Sequence, residues 1–201
     1  MGDTKRVDIK HNKVILYCSQ SDDVVSNLMS QGIHYAKIAF IREKYAEASG
    51  VFLSAYSWYV QNAGYLIPKP DDAESGIWAY PDIAMLDRHE GYSILVLEVP
   101  LSEALFFLMH DWNKVLNMRY MGRSDEEEGA FKEKLDRYGI NYEGDVFLKP
   151  FYPSLKKEVI QSWNALFRFD EKIKNGETQN LPHIQAGLWK IEKDWVLSTG
   201  R

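Results

Sequence analysis

Two glutamines and a set of aromatic rings are the residues of this 201-residue chain best suited to chemistry. Gln185 lies in the apolar run Ile184-Gln185-Ala186-Gly187-Leu188-Trp189, which reads as a buried strand. An unpaired amide there would cost on the order of 1–3 kcal/mol, so Gln185 either bridges backbone groups or faces a site. Gln20 closes Tyr17-Cys18-Ser19-Gln20 at the end of a strand, immediately before a helix start. Such junctions gather polar side chains and amide donors that suit an anionic ligand. Tyr56, Trp58, Trp78 and Tyr80 supply rings that could sandwich a flat heterocycle such as nicotinamide or a base, although each ring alone is better explained by core packing. Asp87-Arg88-His89-Glu90 could form a general acid/base pair, or simply an exposed turn.

Other chemistries leave no trace. There is no phosphate-cradling glycine loop, no dinucleotide glycine fingerprint and no nucleophile elbow. The five histidines, His11, His34, His89, His110 and His183, are scattered without metal-ligand spacing, and no metal site is expected. Cys18 is the only cysteine, which excludes an intramolecular disulfide and a cysteine-based zinc site and suits the reducing cytoplasm. The polar start Met1-Gly2-Asp3-Thr4-Lys5-Arg6 and the lack of a long apolar run argue against a signal peptide, a lipid anchor or a membrane span.

The net charge of −5 is not that of a nucleic-acid binder. Its distribution is uneven: residues 1–148 hold 15 basic and 23 acidic side chains, whereas residues 149–201 hold 9 and 6. The C-terminal excess, which includes Lys156, Lys157, Arg168, Lys172 and Lys174, could face phosphates or form a solvated surface. The run Asp125-Glu126-Glu127-Glu128 reads as a solvated loop or helix start.

Local patterns set the scaffold. Val14–Cys18 reads as a strand, followed by a helix capped by Ser21, led by Asp22 and Asp23 and stopped by Gly32. Ile38, Ile41, Tyr45 and Ala48 continue at helical spacing, Val51-Phe52-Leu53 reads as a short strand, and Ala55–Ala63 as a helix closed by Gly64. After a Pro-rich loop come strands at Ile77–Tyr80 and Tyr92–Pro100, the second so apolar that it should be central and covered on both faces. Ser102 would cap a helix carrying Leu105, Leu108, Met109, Trp112, Val115 and Leu116. Helices around Phe131–Tyr138 and from Pro153 to Phe167 follow, then a polar loop over Lys172–Pro182 and strands at Ile184–Ile191 and Trp195–Leu197. Strands and helices mix without strict alternation, so the class is α+β. One domain is expected over 1–201, with an ordered core of about residues 13–198 and small mixed or antiparallel sheets flanked by helices.

The order of short motifs resembles a bacterial family known as domain of unknown function 3841. They are Tyr17 and Gln20, Ala55-Tyr56-Ser57-Trp58, Ile77-Trp78-Ala79-Tyr80, Leu97-Glu98-Val99-Pro100, Trp112-Asn113-Lys114-Val115-Leu116-Asn117, Ser162-Trp163 and Ile184-Gln185-Ala186. Where that family tends to carry an acidic Ser-Asp-Phe-Asp-like stretch, this chain has Phe107-Leu108-Met109-His110. More distantly, the segment order resembles the ADP-ribosyltransferase fold, in which NAD lies in a cleft between two small sheets. That resemblance implies NAD as co-substrate and a protein or nucleic acid as target, as in a toxin or phage-defence effector. Gln20, with Tyr17 and Ser19 nearby, would hold the nicotinamide ribose, and Tyr56 or Trp58 would pack the nicotinamide, with Trp78 and Tyr80 as further cofactor-binding candidates. Gln185 marks the late strand on which that fold carries a glutamate. Gln185 cannot supply negative charge to an oxocarbenium-like centre, so either another carboxylate serves, with Glu98, Asp87 and Glu192 as candidates, or the cleft binds without catalysis. The alternatives are a non-catalytic nucleotide-binding module and a nucleic-acid-binding protein; oligomeric state is not readable.

Overall fold

The computed structural model describes residues 7–45, 49–178 and 181–200. A two-residue strand, β1 (Ile9–Lys10), turns into β2 (Lys13–Ser21) through His11 and Asn12. Both turn residues have positive φ, 51° and 60°, as a tight hairpin of matching twist requires. The helix α1 (Asp22–Gln31) begins as its sequence dictates: the Ser21 hydroxyl accepts from the Val24 amide, and Gly32 stops the helix at φ 86°. The short strand β3 (Ile33–Tyr35) follows, then α2 (Ile38–Tyr45) and α3 (Ser49–Ala63). Ala48 lies outside the described residues.

Val51–Leu53, expected as a strand, is the first part of α3. Phe52, Ala55, Tyr56, Tyr59 and Ala63 fall on one helical stripe, and they pack together in the core. After β4 (Ile77–Ala79) and β5 (Tyr92–Pro100), the expected helix from Ser102 is instead a 3-10 turn and a strand, β6 (Ala104–Leu108). Only then does α4 (Met109–Leu116) start. All five residues of β6 are buried, so its apolar run carries no period that separates strand from helix.

The next elements are α5 (Asp125–Arg137), α6 (Asp145–Leu148), α7 (Pro153–Ser162), a 3-10 turn over Trp163–Phe167, and α8 (Asp170–Lys174). The last of these corrects the start of the expected loop over 172–182. The expected final strand is divided into β7 (Ile184–Leu188) and β8 (Lys190–Glu192), with β9 (Val196–Gly200) after a 3-10 turn. Trp189 makes the division: its indole leaves the ladder and donates to the Ile67 carbonyl at 3.0 Å.

The strands form an antiparallel sheet in the order β1-β2-β5-β9, a second antiparallel sheet in the order β4-β7-β6, and the ribbon β3-β8. The class is mixed α+β. Central β5 is as expected, but not its double cover: Val96 and Glu98 on its outer side stay half-exposed. The three-stranded sheet lies between two cores. Ile77, Phe106, Ala186 and Leu188 join Leu16, Cys18, Leu95 and Leu97 in one. Leu105, Phe107 and Trp78 join the rings of the helical layer in the other. The two sheets meet where Tyr17 and Tyr80 exchange backbone hydrogen bonds of 2.7 and 2.8 Å.

β6 is an edge strand, and its buried Phe106 amide needs a partner. Asp170 provides it: Oδ1 accepts from Phe106 N at 2.8 Å, and Oδ2 pairs with Lys174 at 2.8 Å. Asp170→Ala is therefore expected to lower unfolding free energy by about 2–3 kcal/mol in urea titration, and Asp170→Asn, which keeps an acceptor, by about half of that.

Candidate functional site

The end of β2 builds one side of a cleft. Strand alternation sends Cys18 and Gln20 to the inner face, beside the start of β4. The Cys18 thiol, fully buried, donates to the Trp78 carbonyl at 3.2 Å, and Gln20 Nε2 donates to the Cys18 sulfur at 3.1 Å. Burial pushes the thiol pKa up to about 11, against a small lowering by Gln20. Cys18 is therefore a neutral link and not a nucleophile.

The opposite wall is aromatic. Trp78 Nε1 donates to the Tyr56 hydroxyl at 3.3 Å, and the two ring centroids are 5.9 Å apart. Gln20, Tyr56 and Trp78 line a single open cleft of about 540 Å³. Its rim includes His34 from β3, Phe40 and Glu43 from α2, and Tyr92 from β5. Sequence reasoning missed those four. Phe40, 53% exposed, is the clearest missed signal, a large ring on the solvent side of a helix.

Electrostatics at the cleft are muted. Burial lowers the His34 pKa below its ordinary 6.5, so the imidazole is neutral at pH 7. Lys37, whose side chain stays partly exposed to solvent, is tethered by the Asp72 carbonyl at 2.8 Å and the Glu74 carboxylate at 3.2 Å. Glu74 itself sits below its ordinary range because the Ile38 amide donates to it, with Lys37 adding to the effect. The His34 shift has a definite sign. As pH falls, the unfolded chain takes up a proton first, near pH 6.5, so stability is full above that pH and is lost toward the lower folded-state value. The melting temperature is expected to fall between pH 7 and pH 5, and the fall to be shallower in His34→Gln.

The remaining expected site residues go elsewhere. Trp58 packs edge-to-face on Trp163 at 5.5 Å and stacks on Phe167 at 6.0 Å in the helical core. Tyr17 and Tyr80 form the bridge between sheets and do not line the cleft. The Tyr80 hydroxyl is pushed above its ordinary pKa by burial, with Cys18 and Asp87 adding to the rise. Ser19 points to the outer face, into a separate hollow of about 420 Å³ shared with Asp22, Arg88, His89 and Glu90. The polar turn thus borders this second hollow through Arg88, His89 and Glu90, whereas Asp87 lines neither hollow nor cleft, and Tyr92 stands between the two. Glu98 lies on the outer face of the first sheet, ion-paired with Lys13 at 2.6 Å, and Glu192 pairs with Lys190 at 2.6 Å.

Gln185 is 1% exposed, sits opposite Phe107 in the β6–β7 ladder, and does not line the cleft. Its Oε1 has no hydrogen-bond partner among the described residues. The expectation of a bridged core amide is therefore met only in its burial. Two of the basic residues of the C-terminal segment are ion-paired, Arg168 with Asp111 at 3.0 Å and Lys174 with Asp170 at 2.8 Å, and Lys156 keeps its charge while donating to the Phe147 carbonyl at 3.3 Å.

Among the described residues, no group of three His, Cys, Asp or Glu side chains is arranged to hold a metal ion, and no helix is long and apolar enough to cross a membrane. No curated protein and no solved structure matches the chain. A family model does, over residues 15–197, nearly the whole length. The chain belongs to the family described as Domain of unknown function (DUF3841).

Proposed function

We propose that the cleft binds NAD through its nicotinamide end, in a domain built along the lines of the ADP-ribosyltransferase fold. The observation that carries this reading is the convergence of Gln20, Tyr56 and Trp78, from three separated segments, on one cleft of about 540 Å³. That volume lies within the range of small-molecule sites. Ring faces suit a flat heterocycle, and a carboxamide at the strand end suits its polar substituent. Two small antiparallel sheets with the cleft at the end of β2 are consistent with the fold.

Binding without turnover is the better supported form. ADP-ribosyl transfer develops positive charge at the ribose and needs a carboxylate beside it. Glu98 lies outside the cleft, Gln185 is outside it and carries no charge, and Glu43, the glutamate that lines it, is an exposed side chain of the rim. Titration calorimetry with NAD tests the proposal: saturable one-to-one binding without release of nicotinamide is the expected result, and a flat titration of folded protein contradicts it.

One observation favours transfer to a protein or nucleic acid as a second reading. Glu43 places a carboxylate on the cleft rim. Under that reading, labelled NAD incubated with a cognate lysate gives label transfer that Glu43→Gln abolishes.

A further inference from the structure

A hydrogen-bond chain has a direction when one of its ends can only accept. The Trp78 carbonyl is such an end. The Cys18 thiol lies 3.2 Å from it, and its next acceptor, the Ser19 carbonyl at 4.0 Å, is of the same kind. Either way the S–H proton is committed to a carbonyl, and the sulfur is left as an acceptor for Gln20. The end of the Gln20 carboxamide that meets the sulfur at 3.1 Å must then be the NH2 group. Its Oε1 takes no hydrogen bond from the described residues and is the remaining acceptor of a side chain that lines the cleft.

We propose that Cys18 is a positioning residue that fixes Gln20 with its oxygen toward the cleft, and that the cleft thereby selects a flat ring bearing an N–H donor, a carboxamide in preference to a carboxylate. This rests on the reading of the cleft as an NAD site. A carboxamide N–H can donate to Gln20 Oε1. A carboxylate on the same ring offers only acceptors and a negative charge, so it meets an unpaired oxygen. A thiol free to ionise would lose the S–H donor that sets the direction, and the buried Cys18 does not ionise near neutral pH.

The test compares NAD with its nicotinic-acid analogue, which differs only in carrying a carboxylate in place of the carboxamide. The wild-type protein should bind NAD at least about tenfold more tightly than the analogue. Cys18→Ser keeps a donor and an acceptor in the same order and should keep the preference. Cys18→Ala frees the carboxamide to turn over and should reduce the preference to less than about threefold, from the same loss of a fixed acceptor. Gln20→Met, at the half-exposed strand end, should lose it as well and decides the matter if Cys18→Ala does not fold. Equal binding of both dinucleotides by the wild type, or an undiminished preference in folded Cys18→Ala or Gln20→Met, overturns the inference while leaving the NAD site standing. Failure of the wild type to bind either one removes the site and the inference together.

Discussion

Gly187→Ala is expected to lower the unfolding free energy by about 3 kcal/mol or more, the upper end of what overpacking a core costs. A methyl group at Gly187 would fall 2.0 Å from the Tyr59 hydroxyl oxygen, 3.0 Å from its Cζ and 3.1 Å from a ring carbon of Trp78. Tyr59 cannot step aside. It is 1% exposed and enclosed by Trp78, Trp112, Trp189 and Phe107, with ring centroids at 4.9, 5.5, 5.8 and 5.9 Å. Its hydroxyl is pushed to a raised pKa first by burial and then by Asp170, so it also cannot escape by ionising. Glycine is needed here for close approach, since its absent side chain is the space the Tyr59 ring occupies. Urea titration of Gly187→Ala checks the magnitude. The double variant Tyr59→Phe/Gly187→Ala, which removes the closest atom, should recover about half of the loss. A Gly187→Ala protein within about 0.5 kcal/mol of the parent would mean that the β7–α3 contact is looser than described.

The second large effect is at Trp78. Trp78→Leu should cost about 3 kcal/mol of stability, because the indole packs on Tyr56, Tyr59, Phe107 and Trp112 with centroids between 4.9 and 5.9 Å. It should also weaken NAD binding about 30-fold, in line with the loss of one aromatic stacking surface. The two losses can be separated at Phe40. That ring is exposed on the rim, so Phe40→Ala should leave stability within about 0.5 kcal/mol and still reduce affinity severalfold. Calorimetric titration of both variants at a temperature where each is folded provides the check. Unchanged NAD affinity in folded Trp78→Leu contradicts stacking at this wall.

Elements governed by neighbouring residues were legible in the sequence. The unit β2–α1 follows from Val14–Cys18, the Ser21 cap, the acidic first turn and Gly32, and all of these act within one or two turns of chain. β5 was legible to the residue because a nine-residue β-prone run ends at Pro100. β6 was not. A run buried on every side has no amphipathic period, and its strand state is set by pairing with β7, far away in sequence. The break at Trp189 likewise depends on the Ile67 carbonyl, which no local pattern announces.

The cleft divides in the same way. Gln20 was recognisable because a polar residue at a strand end before a helix start has few other destinations. Tyr56 and Trp78 were recognisable only as members of a larger set of rings, since sequence does not say that Trp58, two residues from Tyr56, turns to the opposite side of α3. Gln185 was legible as buried but not as to face. In a strand enclosed on both sides, the site-facing and core-facing sides look alike. His34 lies on a three-residue strand too short to show any alternation.

The most direct measurement follows the indole N–H signals of the six tryptophans by heteronuclear NMR during titration with NAD. Trp78 should shift saturably while Trp58, Trp163 and Trp189, packed in the helical core, stay in place. A titration in which the Trp78 signal does not move, or moves no more than those of the core tryptophans, would contradict NAD binding at this cleft.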